Sequence, residues 1–116
     1  MTVVGPNGLG YVNVPRSLSL MMSSGYDRRA GGISAVSYSG GMLLGVSRAV
    51  WAYDGVGINL IVSAGNEAVT HLADYVDFLA GDPATTSIGL IIDKTRNWPA
   101  TNSPFVVSSG MATHCT

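Results

Sequence analysis

The stretch Ile33-Ser34-Ala35-Val36-Ser37-Tyr38-Ser39-Gly40-Gly41-Met42 decides the fold of this chain. Residues 33–37 form a short apolar and small-residue run that suits a buried strand. Ser39-Gly40-Gly41 then turns the chain. Met42, Val46, Ala49, Val50 and Tyr53 follow at i, i+4, i+7, i+8 and i+11. That recurrence predicts one apolar face of an α-helix. Gly55 and Gly57 are expected to end the helix.

The same unit repeats downstream. Residues 58–63 read as a second strand, apolar in the way of strands covered on both faces. Gly65-Asn66 makes the next turn, and Thr70 is the expected N-cap of a second helix. Leu72, Tyr75, Val76 and Leu79 supply its core face. Gly81 suits the position just past the helix end, and Pro83 prevents continuation. Residues 88–93 read as a third strand that stays apolar until Asp93. A β-α-β-α-β order with short connections implies parallel strands, right-handed crossovers and a helix on each face of the sheet. The expected spatial order of the three strands is 2-1-3.

Outside this core the pattern loosens. Residues 1–32 are rich in Gly, Pro, Asn and Ser and read as an extended segment. Turns are expected at Gly5-Pro6-Asn7-Gly8 and at Ser24-Gly25. Leu18, Leu20 and Met22 alternate with Ser19 and Met21, which allows a short strand. Residues 94–104 hold Trp98, Pro99 and Pro104 and fit a loop. Residues 105–107 can form a fourth strand.

Composition limits the function classes. The 116 residues are 47% hydrophobic and 11% charged, with a formal net charge of −1. Ordinary soluble domains carry about 25% charged residues. The chain therefore has ample core and little solvated surface, and part of its exterior is expected to be hidden against a partner or a larger assembly. No basic stripe supports nucleic-acid binding. The apolar stretches at 58–62 and 90–92 fall far short of the roughly 20 residues a membrane span needs. No leader-like segment opens the sequence, and the single Cys115 cannot form an internal disulfide. A reducing cytoplasm is the expected compartment.

In an open parallel sheet, ligands bind at the carboxyl ends of the strands. Three segments converge there: Ser37-Tyr38-Ser39-Gly40-Gly41, Ser63-Ala64-Gly65-Asn66-Glu67, and Asp93. The first opens a helix, where free N–H groups and the positive end of the helix dipole attract anions. Glycine lets an anion approach the backbone closely, and Ser37 and Ser39 carry hydroxyl donors. A glycine at a strand–helix turn is also common with no ligand present. Glu67 alone suits a solvated turn, and Asp93 a strand-end cap. His71 falls at the start of the second helix and His114 in the terminal tail. Neither has metal-ligand company, so no metal site is expected. No nucleophile-elbow motif is present.

Four ordered motifs carry a family resemblance. Gly5-Pro6-Asn7-Gly8-Leu9-Gly10-Tyr11-Val12-Asn13 resembles the Gly-Pro-Asn-Cys-x-Gly-x-x-Asn signature of the succinyl-CoA synthetase α-subunit and NDP-forming acyl-CoA synthetases. Val36-Ser37-Tyr38-Ser39-Gly40-Gly41-Met42 is similar to that family's Val-Ser-x-Ser-Gly turn. Ser63-Ala64-Gly65-Asn66-Glu67-Ala68 is similar to its next strand-end motif. Residues 74–85, with Asp82-Pro83, resemble its helix stop and lead into the third strand. The match covers about residues 3 to 97.

The resemblance implies a three-layer, flavodoxin-like parallel sheet, incomplete at about three to four strands. It implies an extended linker over 1–32 from a CoA-binding domain, a partial flavodoxin-like domain over 33–97 and a divergent tail over 98–116. Such enzymes couple acyl-CoA thioester chemistry to ADP/ATP with Mg, and carry the phosphoryl group on a histidine. Ser37, Ser39, Gly40 and Gly41 would bind phosphate. Gly5, Pro6, Asn7, Gly65, Asn66 and Glu67 would belong to the CoA and active-site loops.

The departures are also specific. Gly8 replaces the signature cysteine. Asp93 stands where the family has a glutamate that orients the histidine, which makes Asp93 the catalytic candidate. The Gly-His-x-Gly-like segment has no clear copy, and the tail around His114 is only faintly similar to it. The expectation is an anion-binding half-domain that does not turn over alone and works with the missing synthetase domains. An alternative is an oligomeric binding or assembly module, paired through an open third-strand edge or an uncovered sheet face. A small enzyme using His71 or His114 ranks below both.

Overall fold

In the computed structural model, residues 3–21, 29–92, 106–108 and 111–115 are described. Three parallel strands form the centre of the sheet: β3 (Ala30–Ser37), β4 (Ile58–Ser63) and β5 (Ser87–Ile91). Helix α1 (Gly40–Trp51) joins β3 to β4, and α2 (Leu72–Gly81) joins β4 to β5. Strand β3 lies between the other two, with Ala35 opposite both Ile61 and Gly89. The first crossover moves to one side of β3 and the second to the other. Right-handedness therefore puts the two helices on opposite faces, as the sequence predicts. All six residues of β4 are buried, because both faces are covered.

The sheet is wider and less uniform than expected. Strands β1 (Gly10–Asn13) and β2 (Leu18–Met21) form an antiparallel hairpin, and β1 pairs antiparallel with β4. On the opposite side, β7 (Met111–Cys115) pairs antiparallel with β5, and β6 (Val106–Ser108) pairs with β7. The full order is β2-β1-β4-β3-β5-β7-β6.

Three expectations change. Part of the segment read as an extended linker is a hairpin integral to the sheet. The strand predicted at 105–107 forms at Val106–Ser108, but its neighbour is β7 and not β5. The third strand is no open edge, since β7 satisfies its backbone groups; pairing of that edge with another chain is thereby removed. The expected turn at Ser24-Gly25 and the loop at 94–104 lie outside the described residues.

Two core clusters follow from the two covered faces. On the α2 face, Val36, Leu60, Val62, Ile88 and Leu90 pack with Leu72, Tyr75, Val76 and Leu79. The four helix residues are those the periodicity selects. On the α1 face, Val12, Val14, Ala35, Ile58 and Ile61 pack with Leu43, and Val50 and Trp51 close the edge. Full burial of one such aliphatic side chain contributes about 1.5–3 kcal/mol.

The face predicted for α1 is rotated. Met42 and Tyr53 are 57% and 69% exposed, Ala49 is exposed, and Leu43 and Ser47 are buried instead. Ser47 hides in the core because its hydroxyl donates to the Leu43 carbonyl at 2.7 Å. A polar residue on the inner face is invisible to a purely apolar period. Tyr53 lies beyond the helix, which is capped at Ala52.

At the amino edge of the sheet a polar cluster ties α2 to β5. The Asn59 amide donates to Asp82 Oδ2 at 2.7 Å and Thr85 Oγ1 at 2.9 Å. Ser34 and Thr85 hydroxyls share a 3.0 Å bond. Asp82 Oδ1 accepts from the Ala84 amide at 3.0 Å, which closes the Asp82-Pro83 turn. The Asp-Pro motif is thus a structural stop, on the side of the sheet away from the strand ends that carry the other motifs. No helix among the described residues is long and apolar enough to cross a membrane.

Candidate functional site

Three motif segments meet at the carboxyl edge of the parallel strands. The Ala64 amide donates to the Ser37 carbonyl at 2.8 Å, which joins the ends of β3 and β4. The Leu9 amide donates to Ser63 Oγ at 3.0 Å. The Asn66 amide donates to the Pro6 carbonyl at 2.8 Å, and the Ala68 amide to the Gly5 carbonyl at 3.1 Å. Residues 5–9 thus lie against the turn after β4, and their Gly5-Pro6 peptide is cis. Gly65 has φ +66, and a Cβ there would collide with the Pro6 carbonyl and the Gly8 amide. Only glycine fits both the backbone and the gap.

The turn after β3 is built by its serines. Ser37 is fully buried; its hydroxyl donates to the Ser39 carbonyl at 2.8 Å and accepts from the Ser39 amide at 3.1 Å. Ser37 therefore holds the turn's shape with both hydrogen-bonding roles already in use. Ser39 is the N-cap of α1, and its Oγ accepts from the Met42 amide at 3.4 Å. The Leu43 amide begins the main-chain ladder by donating to the Ser39 carbonyl. Gly40 and Gly41 are the first two residues of α1, ahead of Met42, and an α-helix offers their amides no internal acceptor. The first turn of α1 carries no acidic residue, so its positive end is not neutralised from within. Arg48 sits in the last turn, where it complements the negative end.

The two glycines have different surroundings. A Cβ on Gly40 would run into the Leu9 side chain, which packs against the start of α1. A Cβ on Gly41 would meet nothing within 4 Å. The helix opening is thus covered on the Leu9 side and open at Ser39 and Gly41, both of which are exposed.

Glu67 closes the edge. It has φ +53, is 8% exposed, and its Oε2 accepts a 3.0 Å bond from the Tyr38 hydroxyl. Its Oε1 is buried without a hydrogen-bond partner among the described residues. This differs from the solvated turn residue that sequence reading suggests for a lone Glu67. The Tyr38–Glu67 bond is a contact the sequence did not reveal. Two tyrosines flank the carboxylate: burial raises the pKa of Tyr75, and the Glu67 and Asp74 charges raise it further.

The remaining candidates separate. His71, not Thr70, is the N-cap residue of α2, and its amide donates to Asp74 Oδ2 at 2.8 Å. Thr70 Oγ1 instead accepts from the Val3 amide at 3.3 Å. His114 sits opposite Ile88, near the start of β5, so the register puts it toward the amino edge and away from the motif segments. Asp93 lies outside the described residues. Among the described residues no three His, Cys, Asp or Glu side chains gather as a metal site.

A family model described as the succinyl-CoA ligase like flavodoxin domain matches residues 30–103. The chain belongs to this family. It is 36% identical over 90 residues to an ADP-forming acetate–CoA ligase of Archaeoglobus fulgidus, covering 74% of this chain and 12% of the ligase. It also superposes on a dinucleotide-forming acetyl-coenzyme A synthetase of Candidatus Korarchaeum cryptofilum in its apo form. The TM-score is 0.72 at 31% identity, covering 81% of this chain and 20% of the synthetase. The same synthetase solved in complex with phosphate and ADP matches equally, with a TM-score of 0.72. A Pyrococcus horikoshii protein matches with a TM-score of 0.74 at 26% identity, over 84% of this chain and 22% of that one. The chain thus spans between an eighth and a quarter of these relatives. The family model spans the β3–α1–β4–α2–β5 core, so the family's flavodoxin-like fold is present here, and antiparallel strands flank that core on both sides.

Proposed function

We propose that this chain is the phosphate-holding part of an NDP-forming acyl-CoA synthetase, and that it does not turn over by itself. The observation that carries the reading is the opening of α1. Two ladder-free amides, at Gly40 and Gly41, stand beside the exposed hydroxyl of Ser39 at the carboxyl edge of a parallel sheet. Together they offer an anion a set of N–H and O–H donors backed by the helix dipole. The open space at Gly41 supports close approach of a phosphoryl oxygen.

The segments 5–9 and 65–67 frame that opening, with Ser37 shaping it from below. Glu67 is turned toward Tyr38, which ties up one of its oxygens; its Oε1 remains an acceptor for a donor group. The residues fit a phosphoryl group, whose charge they would balance during transfer between acyl-CoA and nucleotide. Gly5, Pro6, Asn7, Gly65, Asn66 and Glu67 keep their proposed place in the CoA and active-site loops, and nucleotide with Mg is proposed to bind mainly through other parts of the synthetase. Asp93 retains the proposed role of orienting a phosphohistidine supplied with those portions.

The test is a titration of the isotopically labelled chain with inorganic phosphate, followed by amide resonances. The amides of Ser39, Gly40 and Gly41 are expected to shift together and saturate. If they stay fixed while other amides respond, the phosphate site is elsewhere. Acyl-CoA-dependent nucleotide hydrolysis by this chain alone would overturn its inactivity.

A further inference from the structure

Beside α2, on the face of the sheet extended by the β1–β2 hairpin, runs an open groove of about 680 Å3. A helix is about 10 Å across, roughly the width of two strands, so α2 does not reach over the flanking strands. Leu18, Val69 and Phe78 line the groove and are 40%, 54% and 65% exposed. Charges of opposite sign mark its two ends. Asp74 sits in the first turn of α2 near the carboxyl edge, and Arg16 in the hairpin turn near the amino edge. Phe78 lies between them along the helix.

We infer that this groove is the contact surface for a second copy of the chain, joined by a two-fold axis near Phe78 with the α2 helices antiparallel. A two-fold interface must be self-complementary. Reversing one copy end for end brings each Asp74 to the other copy's Arg16. It also lays each Phe78 ring into the apolar groove of its partner. The arrangement covers Leu18, Val69 and Phe78, three of the large apolar side chains that the monomer leaves in water, and it suits a chain with only 11% charged residues. It does not depend on the anion site at α1, which lies at the carboxyl edge on the β3 side.

Sedimentation velocity on the full chain, with folding followed by circular dichroism, tests this surface. The parent is expected to dimerise at tens of micromolar. Phe78→Glu, on an exposed position, should fold normally and weaken the dimer by about a hundredfold or more, because each dimer loses two aromatic anchors. Arg16→Glu and Asp74→Lys should each weaken it by roughly tenfold through like-charge contacts. Mixed one to one, these two variants should form a heterodimer, since every 16–74 contact across the axis is then again a pair of opposite charges. A parent that stays monomeric at high concentration overturns the proposal. So does a dimer that Phe78→Glu leaves intact, or a mixture no tighter than either variant alone.

Discussion

The hydroxyl of Tyr38 donates to Glu67 Oε2 at 3.0 Å, and so ties the turn after β3 to the turn after β4. Both turns lie at the carboxyl edge, and the bond joins side chains 29 positions apart. Glu67 is held there in a left-handed backbone conformation that a residue with a Cβ adopts at a cost. Among the described residues, one oxygen of its carboxylate has no hydrogen-bond partner.

Removing the Tyr38 hydroxyl leaves neither oxygen of the buried carboxylate paired among the described residues. Tyr38→Phe is therefore expected to destabilise the fold by about 1–3 kcal/mol. A combined Tyr38→Phe, Glu67→Leu variant should recover part of that loss. The measurement is urea unfolding of both variants beside the parent. A Tyr38→Phe midpoint equal to the parent's would show that the bond contributes nothing.

Gly41 separates stability from binding. It lies in the first turn of α1 with open space where a Cβ would go. Replacing it by aspartate removes a helical glycine and places a negative charge near the positive end of the dipole. Gly41→Asp is thus expected to raise stability by about 1 kcal/mol. The same charge repels phosphate, so the shifts expected at Ser39 and Gly40 on phosphate addition should vanish. Thermal melting and the amide titration read the two effects independently. Undiminished phosphate binding in a stabilised variant would detach the anion site from α1.

The central β-α-β-α-β unit was legible because its signals are local. Leu72, Tyr75, Val76 and Leu79 mark the inner face of α2 by spacing alone, and the apolar run of β4 reports a strand covered on both sides. The antiparallel strands were harder to read. Tyr11 and Val12 favour a strand, but four residues bounded by glycine and a Pro-Arg-Ser turn gave no period long enough to separate it from a linker. The α1 face was misread because Ser47, a polar residue, occupies a core position by bonding to its own helix. At the site, glycine and serine at 37–41 pointed to an anion-binding turn through helix chemistry. The Tyr38–Glu67 bond left no such trace, since contact between residues in separate loops depends on the assembled sheet.

Asn59 concentrates the polar network at the amino edge. It is 3% exposed, and its amide group reaches Asp82 and Thr85, with Ser34 at 3.4 Å. Asn59→Ala removes one donor each from the buried Thr85 and the half-buried Asp82, which keep their bonds to Ser34 and to the Ala84 amide, and opens a small void. A loss of at least about 2 kcal/mol is expected. Calorimetric melting should show it as a fall of several degrees, with phosphate titration of the Gly40 and Gly41 amides unchanged. A loss of phosphate binding together with stability would mean that the two edges of the sheet are coupled.

Asp82 makes the acid limb of stability specific. The Ala84 backbone amide, then the Asn59 side chain, lower its pKa below the ordinary aspartate value of 3.8; the Thr85 hydroxyl and the Arg16 charge add to this against a small opposing effect of burial. A carboxylate with a lowered folded pKa binds protons less readily in the native chain than in the unfolded one. Its contribution to stability is complete above the unfolded value and is lost as pH falls through the folded one. The parent should therefore lose stability as pH drops from about 4 toward Asp82's own lower pKa. Asp82→Asn, which keeps the shape without the charge, should be less stable near neutrality and show a shallower decline over that interval. Denaturant unfolding at a series of pH values checks the slopes. Parallel parent and variant curves below pH 4 would assign the acid sensitivity to other carboxylates.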